Sequence, residues 1–369
     1  MTKKSKGPLE GIVVVDLSRI LAGPYCTFLM AEMGARVIKV EPPKGGDDAR
    51  AYGPFVNGKS TYFASVNRGK ESIALDLKND EHKKIFEKLL SKADVIVENF
   101  RPGTMEKLGF GWEQLHPKFP KLIYASASGF GHTGPNSKDP AYDMVMQGMG
   151  GIMSITGNEG QPPSRVGMSI GDIGAGLYTA VAVNAALIHR MKTGESTKVD
   201  IAMFDCQLAL MENAIMRYTV EGEVPGPLGA RHPTITPFQA FATSDGSIII
   251  AAGNDSLFIK MCDALGRPDW ASDPNHKTNA LRLKHYKHLW QEIESVLKQN
   301  LFNIRTVIDE YTFDKKAAPQ QLQDLVREGY DMGIRIGGQI DPNFVAIRLA
   351  SNQRVVCGTP AYFRKRGKP

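Results

Sequence analysis

The sequence predicts an α/β protein in which a large domain, built on an open parallel sheet, precedes a smaller α+β domain. Three observations lead to this prediction. Short apolar runs alternate with amphipathic stretches through the first half of the chain. Apolar runs such as IVVVDL at 12–17 are typical of strands buried on both faces. A Gly- and Pro-rich linker at 223–237 then separates a second group of shorter elements.

The elements of the first domain follow one another in β-α-β order. A first helix over 24–32 has Pro24 in its first turn and is ended by Gly34. A second helix covers about 80–92, and the predicted strands are 12–17, 36–41, 72–77, 94–98 and 122–126. This order predicts a Rossmann-like parallel sheet covered by helices.

The rest of the chain is less regular. The polar stretch 129–140 predicts a loop, and the Ala-rich stretch 173–191 predicts a long helix. A strand over 198–203 and a helix of about fifteen residues follow. Beyond the linker we predict a strand at 247–253 and helices at 256–265 and 284–297. The predicted domains are 1–222 and 223–330, followed by a C-terminal segment, 331–369.

Composition limits the classes of partner. The chain has 369 residues and a net charge of +6, but its basic residues are spread among acids, so no nucleic acid partner is expected. A modest positive excess suits a polyanionic ligand such as a nucleotide. The four cysteines form no CxxC pair, no secretory h-region follows Met1, and no apolar run is long enough to span a membrane. We therefore expect a cytoplasmic protein with no membrane partner.

Common catalytic motifs are missing. The loop after the first strand, SRILAGP, fits neither GxGxxG nor a P-loop, which argues against a dehydrogenase or an NTPase. The chain has no HExxH, no Cys/His cluster and no GxSxG, so neither a metal site nor a hydrolase triad is predicted.

The segment GMSIGDIGAGLY at 167–178 is the most informative one for chemistry. Asp172 lies where a loop enters the long helix, with Gly171, Gly174 and Gly176 around it. One interpretation is an N-cap, which Asp performs well. The other is a nucleophile, because a helix N-terminus favours an ionised carboxylate and small glycines leave room for a thioester. The two interpretations are compatible, since a nucleophile can sit in the first turn.

Long segments of the chain resemble the class III CoA-transferases, the CaiB/BaiF family. The similar segments are 9–50, 94–110, 122–135, 141–151, 163–172, 199–205 and 276–282. The resemblance identifies Asp172 as the nucleophile, which attacks an acyl-CoA to give a mixed anhydride and then an aspartyl-CoA thioester. It implies no ATP, metal or tightly bound cofactor, with a coenzyme A thioester and a small carboxylate as substrates. The members that the chain most resembles use oxalate, so an oxalate-type acceptor is expected.

The resemblance also implies positions that contact CoA: Ile20, Leu21, Leu75, Lys78, Asn99, Lys107 and Met203. Without the family, Lys78 and Lys107 would be interpreted as solvated surface charges. Pro42 stands where some relatives carry a basic residue, which removes one expected phosphate contact.

Three further residues are assigned to the catalytic site by the resemblance. Tyr142 matches an active-site tyrosine of the transferases, whereas the related acyl-CoA racemases carry a histidine there. Asp143 either orients the site or caps the loop. His232, in a stretch bordering the family's acyl site, either donates to a carboxylate substrate or is structural.

The resemblance fades from about Leu301. Relatives carry a GVPxGP stretch that is missing here, and the end of the chain, VVCGTPAYFRKRGKP at 355–369, resembles the family's return strand. In the family this segment packs back on the large domain and two chains interlock, so an interlocked homodimer is expected. Two alternatives to a transferase stay open: an acyl-CoA racemase of the same superfamily, and a CoA-binding protein with impaired catalysis.

Overall fold

The computed structural model describes residues 7–244 and 246–299 and, beyond them, the backbone of three strands. The described residues fall into two compact units, one within Met1–Gly229 and one within Ala230–Pro369. The boundary lies inside the stretch 223–237 that the sequence marks as a linker.

The first unit is built on a six-stranded parallel sheet. The strands of this unit are β1 (Val13–Asp16), β2 (Arg36–Glu41), β3 (Phe55–Val56), β4 (Lys59–Ser60), β5 (Glu71–Ala74), β6 (Val95–Glu98), β7 (Ile123–Ser128) and β8 (Lys198–Ala202). The sheet has the order β5-β2-β1-β6-β7-β8, and β3 and β4 form a separate short hairpin. All neighbouring strands of the large sheet are parallel, as predicted.

Helices cover both faces of this sheet. They are α1 (Ala22–Glu32), α2 (Thr61–Asn67), α3 (Asp80–Leu90), α4 (Thr104–Leu108), α5 (Trp112–Leu115), α6 (Asp143–Met149), α7 (Ile170–Thr193), α8 (Met203–Leu210) and α9 (Glu212–Glu221). By length and composition alone α7 could cross a membrane, but half of its apolar stretch is buried, as in a core helix.

Two hydrophobic clusters join the sheet to the helices on its two faces. On one face of the sheet, Val14, Val95 and Val97 pack with residues of α1 and α7 such as Met30 and Val183. On the other face, a second cluster joins the sheet to α3, α4 and α5; it includes Val15, Ile96, Phe86, Met105 and Leu115. Because successive residues of a strand point to opposite faces, the uninterrupted apolar runs predicted from sequence are what a sheet covered on both sides requires.

The strand order contains one reversal point. The chain runs from β1 outward through β2 to β5, and then returns to β6 on the other side of β1 before reaching β7 and β8. In open α/β sheets, ligands bind beyond the carboxyl ends of the strands at this point. The loops after β1 and β6 are therefore where a ligand is expected.

The sequence predicted the long elements and missed several short ones. The strand over 36–41 agrees residue for residue, and the helix over 173–191 starts three residues earlier, at Ile170. The single helix expected after β8 is wrong: the chain forms α8 and α9, which are joined at Met211. The loop at 129–140 is confirmed, whereas α2, α4, α5 and α6 were not predicted.

The second unit has its own core. Its elements are β9 (Phe238–Ala242), β10 (Ser247–Ala251), α10 (Asp255–Ala264), α11 (Pro268–Ser272), α12 (Asn279–Lys284), α13 (Tyr286–Gln299), β11 (Met332–Ile336), β12 (Val345–Arg348) and β13 (Arg354–Gly358). β9 and β10 pair antiparallel, and β13 lies between β11 and β12. A cluster that includes Phe241, Phe258, Trp270 and Ile293 is buried beneath the hairpin.

Candidate active site

Asp172 lies in the first turn of α7, where the chain turns inward after a long loop. Ser169 is the N-cap of this helix and makes no side-chain capping bond, so the prediction that Asp172 itself is the N-cap is wrong. Asp172 is half-buried, and its carboxylate makes no hydrogen bond or ion pair to any residue that the structure describes. The side chain therefore sits at a helix N-terminus with both oxygens available.

Asp143 performs the capping that Asp172 does not. It is the first residue of α6, and its Oδ1 accepts a hydrogen bond of 2.8 Å from the Gly171 N–H. Gly171 is the second residue of α7, and its N–H is one of the donors that have no partner within a helix. The other oxygen of Asp143, Oδ2, accepts a second hydrogen bond, also of 2.8 Å, from Gln147 Nε2. Both oxygens of Asp143 are thus occupied by donors, and its position is tied to the residue before Asp172.

The surroundings of Asp172 make its carboxyl group less acidic than an ordinary aspartate. Burial, followed by the negative charge of Asp143, raises the pKa of Asp172 to about 7. The helix N-terminus favours the ionised form, as expected from the sequence, but desolvation and a neighbouring anion act in the opposite direction and outweigh it. The carboxylate is consequently a stronger base, and hence a better nucleophile, than an ordinary aspartate.

The loop after β1 forms a second part of the site. Asn99, which follows β6, donates to the Arg19 carbonyl at 2.8 Å and accepts from the Arg19 N–H at 2.7 Å. It therefore joins the two loops at the reversal point of the sheet. Ile20 has a φ of 66°, unusual for a β-branched residue, and its N–H donates to Asp47 Oδ1 at 3.0 Å.

A buried ionic network supports this loop. Lys39 Nζ donates to the Ser18 carbonyl at 2.7 Å and lies 2.9 Å from Asp47 Oδ2. Burial opposes ionisation of Asp16, but the charges of Lys70 and Lys39 outweigh it and hold the pKa of Asp16 well below its ordinary value. The backbone of this loop is thus bonded to charged side chains at Ser18 and at the predicted CoA position Ile20.

A comparison with known protein families agrees with this arrangement. The family model of CoA-transferase family III matches residues 9–303. The chain belongs to this family. It is 45% identical to an acetyl-CoA:oxalate CoA-transferase of Acetobacter aceti over 297 residues, covering 80% of this chain and 76% of the relative. It is 43% identical to a succinate–glutarate CoA-transferase of Agrobacterium fabrum over 312 residues, covering 82% and 78%.

A solved structure leads to the same conclusion. A CaiB/BaiF family protein from Brucella suis superimposes with a TM-score of 0.70 at 39% identity, covering 88% of this chain and 82% of that one. The relatives are named CoA-transferases, and the protein is a CoA-transferase of family III. These findings favour the transferase over the racemase alternative.

The other predicted CoA positions of this family III transferase follow β5, β6 and β8 along the chain. Met203 begins α8 and is buried with Ala22, Met146 and Ala175, so it contributes to the floor beneath the start of α7. Leu75 follows β5 and is buried in the second-face cluster. Lys78 and Lys107 are exposed, and the structure brings neither of them to Asp172.

Tyr142 lies in the first unit and His232 in the second. Tyr142 is the N-cap of α6, next to Asp143, and is 69% exposed. His232 belongs to the second unit, where its ring packs against Phe238 and its Nδ1 accepts from the Thr234 N–H at 3.2 Å. Thus Tyr142, Asp143 and Asp172 are brought together by the first unit.

Two residues near Asp172 were not found from the sequence. Burial and then the negative charge of Asp172 raise the pKa of Tyr62 on α2, which places this hydroxyl within the electrostatic reach of the site. Tyr62 also packs edge-on against Tyr52. The other residue is Gln147, whose spacing of four from Asp143 on one helix was a usable signal. No local pattern distinguishes Tyr62.

Side chains that could bind a metal are not clustered in the described part of this chain. Among the described residues no group of three or more His, Cys, Asp and Glu side chains could hold a metal ion. The sequence departures from Leu301 onward fall largely outside the described residues, and so does the tail that motivated the impaired-enzyme alternative.

Proposed function

We propose that this transferase moves CoA from an acyl-CoA donor to a small carboxylic acid with Asp172 as the nucleophile. The observation that carries the proposal is the Asp172 carboxylate itself. It lies at a helix N-terminus, unpaired within the described part of the chain, and a neighbouring aspartate performs the capping. A purely structural aspartate at this position would be the one that caps the helix.

The reaction is a sequence of four acyl substitutions. Asp172 Oδ attacks the donor acyl carbon and expels the CoA thiolate, which leaves an acyl-aspartyl anhydride. The thiolate attacks Cγ of Asp172, expelling the donor acid and forming aspartyl-CoA. The acceptor carboxylate then attacks Cγ and expels the thiolate, and the thiolate attacks the acceptor acyl carbon. Acceptor acyl-CoA leaves and the Asp172 carboxylate is restored, so the route consumes no ATP.

The carboxyl edge of the sheet is proposed to hold the CoA thioester. Ile20, Leu21 and Asn99 lie at the reversal point, where ligands of open α/β sheets bind. Leu75, Lys78, Lys107 and Met203 extend the proposed site along the same edge, with the two lysines available to phosphates as point charges. Tyr142 and His232 are proposed to contact the acyl groups.

The acceptor is proposed to be a dicarboxylate, with oxalate as the first candidate. Relatives are named for oxalate, glutarate and mesaconate, and each of these acids carries a second carboxylate. A carboxylate that does not react gives the site a handle for orienting the one that does.

We also propose an interlocked cytoplasmic homodimer, with a large domain at 1–222, a small domain at 223–330 and a returning segment at 331–369. On α7 the apolar side chains of Leu177, Val181 and Ile188 are exposed, and a partner subunit is what usually covers such a surface. The three described cysteines are free, which suits a reducing compartment. Light scattering after size exclusion measures the assembly.

Chemical trapping tests the nucleophile. Incubation with acetyl-CoA or succinyl-CoA followed by hydroxylamine is expected to convert Asp172 to a hydroxamate, mapped by mass spectrometry. Asp172→Asn serves as the control and is expected to bind CoA without an adduct. Normal turnover with the adduct on another residue contradicts the mechanism. CoA binding with no adduct and no turnover in the wild-type protein indicates an impaired enzyme.

A panel of acids tests the acceptor. Acetyl-CoA and succinyl-CoA are each offered oxalate, glutarate, mesaconate and the monocarboxylates formate and propionate. Higher kcat/KM for the dicarboxylates supports the proposed class, and a preference for the monocarboxylates contradicts it.

A further inference from the structure

Gln147 is a fully buried polar side chain whose hydrogen bonds go to Asp143 and to the segment that precedes α7. It lies on α6 and is 0% exposed. Its Nε2 donates to Asp143 Oδ2 at 2.8 Å and to the Met168 carbonyl at 3.3 Å, while its Oε1 accepts from the Val166 N–H at 2.8 Å. Burying a primary amide is costly unless its bonds are made, and here they are made to the segment that leads into α7.

Asp143 connects Gln147 to the turn of α7 that carries Asp172. Its second oxygen accepts from Gly171 N–H, so a chain of two hydrogen bonds runs from Gln147 to the residue before Asp172. A methyl group on Gly171 would lie 2.9 Å from Gln207 Nε2, which shows how closely the Gln207 side chain backs Gly171. Gly171 is therefore held between a hydrogen bond from one side and a buried side chain on the other.

The two donors occupy both oxygens of Asp143, whereas Asp172 has no donor among the described residues. Burial, followed by the negative charge of Asp143, raises the pKa of Asp172 to about 7. Both carboxylates also contribute, after burial, to the raised pKa of Tyr62 on α2. Loss of the Gln147 donor would remove the hydrogen bond that holds Asp143 Oδ2 and would allow this carboxylate to shift relative to Asp172.

We propose that Gln147 is a positioning residue for the nucleophile: its amide fixes the Asp143 carboxylate and the segment 166–168, and through them the first turn of α7 that carries Asp172. This inference rests on the proposed role of Asp172. It assigns Gln147 to the rate of attack, not to binding of the CoA thioester, because its bonds all go to the protein framework.

Two variants test the proposal. Gln147→Leu keeps the approximate size and removes both amide functions. It is expected to lower kcat for CoA transfer from acetyl-CoA to oxalate, or from succinyl-CoA to glutarate, about 10-fold or more, because small displacements of a reacting group are costly. KM for the CoA thioester is expected to stay within about 3-fold, since the amide fixes only the protein framework.

Gln147→Glu provides a readout that a merely structural side chain would not give. It keeps an acceptor for Val166 N–H, but it can donate to Asp143 only when protonated. Its kcat relative to wild type is therefore expected to be highest below pH 6 and to fall as pH rises and two carboxylates face each other. Gln114→Leu, which removes a local amide cap from α5, is the matched control and is expected to leave kcat unchanged.

The outcomes separate this inference from the proposed function. Wild-type kcat in Gln147→Leu, or a Gln147→Glu pH profile that follows the wild type, overturns the positioning role. If Gln147→Leu does not fold, the Gln147→Glu profile alone decides. Failure of the proposed function appears instead in the wild-type protein, as the absence of a hydroxylamine adduct on Asp172.

Discussion

At the scale of single residues, Asp143 and Asp172 are two aspartates with opposite tasks. Asp143 accepts hydrogen bonds from Gly171 N–H and Gln147 Nε2, which occupy both of its oxygens. Asp172 lacks such donors among the described residues, and burial together with its neighbour raises its pKa to about 7. Asp143 is thus engaged in holding the start of α7, whereas the Asp172 carboxylate is available for chemistry.

Gly171 makes this arrangement possible, and its replacement is the first prediction. An added Cβ would lie 2.9 Å from Gln207 Nε2 and 3.0 Å from Asp143 Oδ1. Gln207 is fully buried, and Asp143 is held by its two hydrogen bonds. Gly171→Ala is therefore expected to gain helix propensity of about 1 kcal/mol and yet lower kcat about 10-fold or more, because Asp143 must shift. Steady-state kinetics and far-UV circular dichroism measure the two effects.

Gly174→Ala is the matched control for that variant. It lies one turn further along α7, and an added Cβ there meets only Leu210 Cδ1, at 3.2 Å, the end of a flexible side chain. Its kcat is expected to stay within about 2-fold of wild type, since no residue bonded to the site has to move. Equal losses in the two variants would show that general disturbance of the helix, and not the contact with Asp143, lowers the rate.

At the scale of elements, α1 and α7 pack closely against each other in the first unit. A Cβ on Gly176 would lie 2.7 Å from the Ala22 carbonyl oxygen and 3.1 Å from Tyr25 Cβ. Backbone atoms at the start of α1 cannot rotate away, so the helices must separate. The start of α1 directly follows the loop that carries Ile20 and Leu21, and separation therefore also moves the proposed CoA site.

The second prediction follows from this contact. Gly176→Ala is expected to lower the free energy of unfolding by about 1–3 kcal/mol through overpacking and to raise KM for the CoA thioester. Urea denaturation and steady-state kinetics provide the measurements. Gly148→Ala on α6 is the control, because its Cβ would meet only Met153 Sδ at 3.8 Å, an ordinary contact. An unchanged unfolding free energy in Gly176→Ala would contradict the importance of the α1–α7 contact.

The loop between β1 and α1 gives the third prediction. Lys39→Met removes the ammonium group that bridges the Ser18 carbonyl and Asp47, so the buried Asp47 carboxylate loses its ion-pair partner while Asp16 keeps Lys70. Removing one partner of a buried ion pair costs about 3–5 kcal/mol, so a loss of this order is expected in urea denaturation, together with weaker CoA binding.

Arg36→Met on the same strand is the comparison for Lys39→Met. Arg36 pairs with Glu71 at the surface, with N–O distances of 2.8 and 2.9 Å, and such exposed pairs contribute no more than about 1 kcal/mol. A loss in Lys39→Met as small as that in Arg36→Met would mean that the network does not support the loop.

The features of the fold and site that can be predicted from the sequence are those that depend on residues close together along the chain. The strand over 36–41 and the helix α7 are fixed by local apolar patterns, and both were predicted. The placement of Asp172 in a first turn was also predicted, because glycines and a long apolar helix follow it. Its raised pKa and the capping by Asp143 were not, since they depend on a contact between α6 and α7 that no local spacing specifies. Tyr62 reaches the site from α2 for the same reason.

At the scale of the whole molecule, two acids with raised pKa values, on different parts of the first unit, affect stability in the same direction. Burial is the main cause that raises the pKa of Glu98, at the end of β6, to about 7, although Phe100 N–H and the Tyr124 hydroxyl donate to it. Asp172 has a pKa of about 7 as well. In the folded protein both acids hold their protons at pH values where the unfolded chain has lost them.

The sign of the resulting pH dependence is determined by linkage. From about pH 4 to pH 7 the folded state binds more protons than the unfolded state at these two positions, so the free energy of unfolding falls as pH rises, and then levels off. Each pKa unit corresponds to about 1.4 kcal/mol, and the two groups together are expected to remove on the order of 2 kcal/mol or more between pH 5 and pH 8. The protein should therefore be more stable in mildly acidic than in mildly alkaline solution.

The double variant Asp172→Asn/Glu98→Gln tests this account, because neither replacement can ionise. At position 98 a glutamine can still accept from Phe100 N–H while its NH₂ faces the Tyr124 hydroxyl, so the hydrogen bonds are kept. The variant is expected to match the wild type near pH 4 and to exceed it increasingly up to pH 7, measured by urea denaturation at each pH. Exposed Glu159→Gln should leave the wild-type slope unchanged. A double variant with the wild-type slope would show that these two acids ionise normally in the folded protein, and the argument for a basic, nucleophilic Asp172 would fail with it.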